Sequence, residues 1–198
     1  MTVLVGEKGS VLEVICDDET IHTCDKKLFS RKLSKREYAS KEEFEEQFFE
    51  LEYKVAFAFS LRKIALKSFH SQELKQLLQK RLIREVTIQR LLTYFSEKKW
   101  LQDDEWLEFF VDKLIKQGKS AHEIFHKAKA RGIAKTALVP FFQNKNKVKE
   151  ALLLLITKRY PQLLDKKSTL SIRQKAVAAL IRKGFPVDEI RSALSECT

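Results

Sequence analysis

Two stretches of this sequence, EIFHKAKARGIAKTALVPFF (residues 123–142) and AVAALIRKGFPVDEIRSAL (residues 176–194), share one frame of helix, turn and helix. A third copy, ELKQLLQKRLIREVTIQRLL (residues 73–92), carries Leu82 where the other two carry Gly132 and Gly184. These three positions lie 50 and 52 residues apart. Self-similarity at a fixed period is typical of repeat proteins, in which each unit packs mainly on its neighbours.

The turn inside each copy has a physical cause. Gly132 and Gly184 each follow a basic residue and precede Ile133 or Phe185, as in helices that end through a left-handed residue with an apolar side chain folded back. Leucine at position 82 would carry a strain of roughly 1–2 kcal/mol in that conformation. We therefore predict that the first copy ends its helix differently.

Each copy is preceded by a further helical segment, so the unit is a three-helix repeat whose last helix is the shorter one. Apolar residues at helical spacing predict three leading helices, Val55–Leu66, Asp104–Gln117 and Val148–Tyr160. Asp103 or Asp104 is the expected N-cap of the second. The prediction is a mainly α protein, an elongated array of three three-helix repeats.

A different pattern precedes the helices. Short β-branched runs predict a small β-hairpin-containing N-terminal segment, and Ser40-x-x-Glu43 is a capping box that opens a linking helix. The predicted domains are residues 1–53 (β-containing segment with the linking helix), 54–101 (repeat 1), 102–145 (repeat 2) and 146–198 (repeat 3).

The charge is uneven along the chain. Residues 1–53 hold 8 Lys/Arg and 13 Asp/Glu (net −5), whereas residues 54–198 hold 30 and 14 (net +16). This asymmetry favours a polyanionic or acidic partner, with general solubility as the alternative. An acidic N-terminal segment that docks on the basic body is a further possibility. No signal peptide or membrane-spanning run is recognisable, and three cysteines without framework spacing indicate free thiols in a cytoplasmic protein.

His122-Glu123-Ile124-Phe125-His126 spells the H-E-x-x-H pattern of zinc peptidases. However, Ser120-x-x-Glu123 is also a capping box, which gives Glu123 a structural role. Both histidines are expected on an exposed cationic face, and no histidine follows to supply the third ligand that catalytic zinc needs. Cys16, His22 and Cys24 lack a fourth ligand. We predict no catalytic residue, no metal site and no cofactor.

The segment EKKWLQDDEWLEFFVDKLIKQGKSAHEIFHKAKARGI (residues 97–133) resembles the RecX family of recombinase regulators. IRKGFPVDEIRSAL (residues 181–194) is similar to the closing segment of that family, and SQELKQLL, from Ser71, to its opening helix. The likeness covers about residues 55–195, with Lys99 and Leu82 where glycine is usual. The matching positions in the first segment are Trp100-Leu101, Asp103, Trp106, Gly118, Ile124 and Gly132-Ile133.

The resemblance implies a non-enzymatic function. Such proteins bind RecA nucleoprotein filaments along the helical groove and restrain filament growth, ATP hydrolysis and strand exchange, in DNA repair, recombination and the SOS response. The expected partners are a RecA filament and single-stranded or duplex DNA, with no membrane and a monomeric chain. Basic residues near the repeat turns, and three more along the second repeat, are the expected contacts, unless they only cap helix ends or face solvent. They are Lys80, Arg81, Lys113, Lys116, Lys119, Lys129, Arg131, Arg182 and Lys183. The alternative is a general DNA- or RNA-binding helical repeat protein without a recombinase partner.

Overall fold

The computed structural model describes residues 2–33, 36–143, 145–165 and 167–195. They form two compact units, Met1–Asp103 and Asp104–Thr198. Each unit is built around its own buried side chains. The prediction of a mainly α chain behind a small β segment is confirmed, whereas the elongated shape and the limits of the three repeats stay predictions.

The N-terminal unit begins with an antiparallel sheet. Strands β1 (Thr2–Lys8), β2 (Val11–Cys16), β3 (Glu19–Asp25) and the two-residue β4 (Arg36–Glu37) are arranged in the order β3-β2-β1-β4. Residues of β2 alternate between the core and the outer face, as a sheet with one covered face requires. The predicted hairpin is β2-β3, and a short helix, α1 (Lys26–Phe29), follows it.

The linking helix and the leading helix of repeat 1 are one continuous helix, α2 (Lys41–Ile64). The boundary predicted between residues 53 and 54 therefore falls inside a helix. Because its apolar face continues from Phe44 to Phe59 without a glycine or proline, nothing in the sequence ends the helix at that point. The side chain of Ser40 caps the first turn as predicted, but the Glu43 carboxylate accepts the N–H of Ala39 rather than that of Ser40.

The remaining helices follow the repeat. Their order is α3 (Ser71–Gln79), α4 (Glu85–Glu97), α5 (Asp103–Lys116), α6 (Ala121–Lys129), α7 (Lys145–Arg159), α8 (Leu170–Arg182) and α9 (Val187–Leu194). None of the helices in the described parts of the chain combines the length and the apolarity that crossing a membrane requires.

Two details of the predicted repeat are wrong. In repeat 2 the last helix is replaced by two short 3-10 helices, Lys135–Ala137 and Val139–Phe142. Pro140 lacks an N–H and so disfavours a continuous α-helix there. In repeat 1 the last helix, α4, is longer than the preceding α3, because Ile88, Leu91 and Phe95 extend its buried stripe.

The turn at Leu82 also differs from its prediction. Leu82 has a φ of 57°, in the left-handed region, as Gly132 and Gly184 do. The N–H of Ile83 donates to the carbonyl of Leu78, and the equivalent bond joins Ile133 to Ala128 in repeat 2. Burial of Ile83 therefore holds the turn in the repeat geometry despite the strain on Leu82.

We expect Leu82→Gly to raise the free energy of unfolding by about 0.5–1 kcal/mol. Glycine relieves a left-handed strain of roughly 1–2 kcal/mol, and its greater freedom in the unfolded chain takes part of that gain back. The Leu82 side chain is 41% exposed, so little packing is lost. Urea unfolding measures the change, and Leu82→Ala, which keeps the strain, is the control. A Leu82→Gly protein less stable than Leu82→Ala would contradict this account.

Candidate functional site

The C-terminal unit contains a cavity of about 420 Å³ lined by five cationic side chains. We call it the basic groove. Three parts of the chain form it: the end of α5 with Gly118, the C-terminal part of α7, and the turn after α8. Its lining is Lys116, Gln117, Gly118, Lys119, Ala151, Leu154, Leu155, Lys158, Arg159 and Lys183.

Close backbone contacts hold the walls of the basic groove together. Gly118 has a φ of 71°, and a Cβ atom at this position would lie 2.8 Å from Cδ1 of Leu155. On the other side, the hydroxyl of Ser120 donates to the carbonyl of Lys183 over 2.6 Å. Gly118 and the turn at Lys183 therefore bring residues of the predicted repeat 2 into contact with residues of the predicted repeat 3.

The electrostatics of the basic groove are only partly neutralised. The Nζ atom of Lys119 lies 2.9 Å from Oε1 of Glu123. Burial raises the pKa of Glu123, but the hydrogen bonds from Lys119 and from the Ser120 N–H outweigh it, so the net shift is downward and Glu123 is ionised at neutral pH. Lys116, Lys158 and Arg159 are exposed and form no ion pair within the described ranges.

The charge of the surrounding sequence reinforces this field. Residues 104–198 contain 19 Lys/Arg and 10 Asp/Glu, a net charge of +9, whereas residues 1–103 contain 19 and 17, a net charge of +2. The groove thus lies in the more basic unit, where its attraction for anions extends over a Debye length of about 8 Å at physiological salt.

The lining of the basic groove also includes three apolar residues, Ala151, Leu154 and Leu155, which we call its floor. Leu154 on α7 is 49% exposed, and Ala151 and Leu155 lie one turn before it and next to it in the sequence. A leucine this exposed beside cationic side chains can make an apolar contact with a bound partner.

The structure brings together three of the nine predicted contact residues, Lys116, Lys119 and Lys183. Lys113 lies over the Phe109 ring, and Arg131 caps its own helix by donating to the carbonyl of Lys127. Lys80, Lys129 and Arg182 are exposed and do not line the groove, and Arg81 pairs with Asp25 over 3.1 Å in the N-terminal unit. The proposed partner contacts of all nine residues stay predictions.

Sequence reasoning missed Lys158, Arg159 and Leu154. The signal was the end of the α7 pattern, where an apolar run passes directly into Lys158-Arg159. That pattern predicts only a helix, because the proximity of residue 158 to residues 116 and 183 is a tertiary property.

The H-E-x-x-H segment is a capped helix start. The Ser120 side chain accepts the N–H of Glu123, and the Glu123 carboxylate accepts the N–H of Ser120, so the predicted capping box is confirmed. His122 and His126 are exposed, and the Cβ of His122 packs against Gly184. Among the described residues, no group of three or more His, Cys, Asp or Glu side chains is placed to hold a metal ion.

The acidic triplet at residues 103–105 has a role that the sequence did not show. The Asp103 carboxylate accepts the N–H of Ser71 over 2.7 Å and also its hydroxyl. Asp103, at the start of α5, therefore caps α3 of repeat 1 in addition to any effect on its own helix.

Comparison with known proteins identifies the relatives of this fold. Residues 142–194 match a family model described as RecX, third three-helix domain. The chain is 23% identical over 152 residues to regulatory protein RecX of Staphylococcus haemolyticus (strain JCSC1435), and this match covers 73% of this chain and 54% of that protein. It is 29% identical over 150 residues to regulatory protein RecX of Bacillus velezensis (strain DSM 23117 / BGSC 10A6 / LMG 26770 / FZB42), covering 72% and 55%. The chain thus spans about half the length of these relatives.

Two solved structures show the same fold. A crystal structure of regulatory protein RecX superimposes with a TM-score of 0.59 at 14% identity, over 96% of this chain and 95% of that one. The crystal structure of RecX from Lactobacillus salivarius gives a TM-score of 0.62 at 18% identity, over 74% and 96%. The match over residues 142–194 and the two sequence relatives agree with the likeness to RecX proteins seen in residues 97–133 and 181–194, and the two crystal structures show that the fold is shared.

Proposed function

We propose that this protein is a non-enzymatic, cytoplasmic regulator that binds the groove of RecA nucleoprotein filaments and restrains their ATP hydrolysis. The observation that supports the proposal most directly is the basic groove, because six of its ten lining residues fall within residues 142–194, which match the RecX third domain. Its five cations form a surface that attracts an acidic polymer.

The repeat itself supports a filamentous partner. Units that recur at about 50 residues present related surfaces at intervals, so several weak contacts can engage a periodic partner at once. Linked contacts of this kind gain avidity without any one of them being tight.

A second function, binding of naked DNA or RNA without a recombinase, is supported by the net charge of +9 on residues 104–198. It predicts binding to a free oligonucleotide that weakens steeply as salt rises, because each phosphate contact releases counterions. It also predicts that any effect on a recombinase disappears when excess DNA relieves the competition.

The test adds the protein, below the amount that saturates the DNA, to preformed RecA filaments and follows ATP hydrolysis. We expect hydrolysis to fall, and the combined variant Lys116→Gln, Lys158→Gln, Arg159→Gln to need at least about tenfold more protein for the same effect, since each lost contact is worth several tenths of a kcal/mol to 1 kcal/mol.

The matched control is Lys127→Gln, Lys167→Gln, Lys175→Gln, which removes the same charge from exposed positions of the same unit outside the basic groove. The amount of this control variant needed for the same fall in ATP hydrolysis is expected to be within about threefold of that of the unaltered protein. Unchanged ATP hydrolysis with the unaltered protein would refute the proposal, and equal losses in both variants would assign the effect to net charge rather than to the groove.

A further inference from the structure

The basic groove combines two properties that a phosphate-binding surface does not need together. Its lining includes the exposed cations Lys116, Lys158 and Arg159, which we call the rim, and the half-exposed Leu154 of the floor. We infer that the occupant of the groove is an acidic protein segment with apolar side chains, which places its carboxylates on the rim and its apolar groups on the floor. This inference rests on the proposed function and names the kind of partner surface that the groove takes.

The apolar floor favours a peptide over a nucleic acid backbone. A sugar–phosphate backbone presents charged oxygens along its outer edge and has little to place against leucine, whereas the side chain of a peptide buries apolar area at about 25 cal/mol per Å². Recognition by an apolar contact at the centre and charge at the rim is the ordinary arrangement of protein interfaces.

The size of the cavity leads to the same conclusion. A volume of about 420 Å³ lies in the range of pockets that hold a small ligand or a few side chains. Its lining comes from only ten residues near the ends of α5, α7 and α8, so it suits the insertion of side chains better than the tracking of a long strand.

The helix ends shape the charge that the occupant meets. α5, α7 and α8 all end at the basic groove, and each C-terminus contributes a partial charge of about −0.5. Five cations exceed these partial charges and the one carboxylate of Glu123, so the groove remains positive. The excess of positive over negative charge in the groove is moderate. It therefore fits a segment with a few carboxylates better than a closely spaced row of phosphates.

The experiment measures fluorescence anisotropy of three labelled probes on the full chain. The first is a short helix-forming peptide in which glutamates flank two leucines, the second replaces both leucines with glutamine, and the third is a single-stranded oligonucleotide of matched charge. We expect the leucine peptide to bind about tenfold more tightly than the glutamine peptide, which corresponds to burial of part of an apolar side chain.

Two variants separate floor from rim. Leu154→Ser is expected to weaken binding of the leucine peptide about five- to tenfold, while the affinity for the oligonucleotide changes less than twofold. The double variant Lys158→Gln, Arg159→Gln is expected to weaken both peptides. Leu170→Ser is the matched control, because Leu170 is 72% exposed in the same unit and does not line the basic groove. It should change no affinity, and circular dichroism checks that each variant is folded.

Equal affinity for the two peptides, or no effect of Leu154→Ser on a folded protein, would overturn the inference. An oligonucleotide that binds more tightly than either peptide and loses affinity only in the rim variant would assign the groove to nucleic acid and overturn it as well. The filament assay on the same variants keeps the two proposals apart. If filament hydrolysis responds to the rim variant and the peptides do not discriminate, only the inference fails; if the peptides discriminate and filaments are unaffected, only the proposed function fails.

Discussion

Replacing Glu52 with glutamine is expected to lower the unfolding free energy of the N-terminal unit by about 3 kcal/mol. Glu52 lies on α2, is 1% exposed and accepts three hydrogen bonds at the start of α4. Its Oε1 atom accepts the N–H of Arg84, and its Oε2 atom accepts Nε of Arg84 and the hydroxyl of the fully buried Thr87. α4 has no side-chain cap of its own at Arg84, so a carboxylate from another helix performs that role.

The size of the effect follows from what the variant leaves behind. Glutamine has one acceptor oxygen, and its NH₂ group would face donors of Arg84 and Thr87. Removal of one partner of a buried ion pair typically costs 3–5 kcal/mol, because the other charge remains without compensation. Arg84 keeps an ion pair with Glu45 at 3.2 Å, which places the expected loss near the lower limit.

Tryptophan fluorescence allows this loss to be assigned to one unit. The chain has two tryptophans, Trp100 in the first unit and Trp106 in the second. In a Trp106→Phe background, Trp100, which stacks on Phe95, reports urea unfolding of the first unit. Glu50→Gln is the control: Glu50 pairs with Arg90 at 3.0 Å while both are about half exposed, so we expect a change below about 0.5 kcal/mol. A Glu52→Gln protein as stable as the control would show that the buried carboxylate is dispensable.

Local signals in the sequence predicted much of the fold. The hairpin, the Ser40 cap, the capping box at Ser120 and the glycine turns depend on residues within about four positions of each other, and these features are seen in the structure. At Ser40 only the serine half of the predicted capping box is formed. The single error among the turns, at Leu82, arose because the intrinsic cost of a left-handed leucine is visible in the sequence, whereas the burial of Ile83 that outweighs it is not.

The candidate site is harder to predict from the sequence than the fold, for a related reason. Lys116 and Lys183 belong to the predicted contacts, but their meeting with Lys158 and Arg159 depends on how repeat 3 docks on repeat 2. Glu52 shows the same limit. In the stretch FEEQFFELE it is one acid among several, and only its burial and its three hydrogen bonds to Arg84 and Thr87, 32 and 35 residues away, distinguish it from the others.

Replacing Gly184 with alanine is expected to lower the unfolding free energy of the C-terminal unit by about 2–4 kcal/mol. Gly184 has a φ of 85°, where an L-residue carries a strain of roughly 1–2 kcal/mol. The added Cβ would also lie 2.9 Å from the Cβ of His122 and 3.0 Å from Oγ of Ser120, and overpacking of this kind costs about 1–3 kcal/mol. Ser120 cannot retreat freely, because its hydroxyl caps α6 and donates to the carbonyl of Lys183.

The two contributions can be separated, because Gly9 also has a positive φ, 61°, and a Cβ there would have nothing within 4 Å. Gly9→Ala, with Trp100 as the reporter, should therefore show the strain alone, about 1 kcal/mol. Gly184→Ala is measured in a Trp100→Phe background, where Trp106, stacked on Phe110, reports the second unit. Losses of the same size at both glycines would mean that repeat 3 does not press on the capped start of α6. A larger loss at Gly184 locates the excess at the contact between repeats, the same contact that brings Lys183 to the edge of the basic groove.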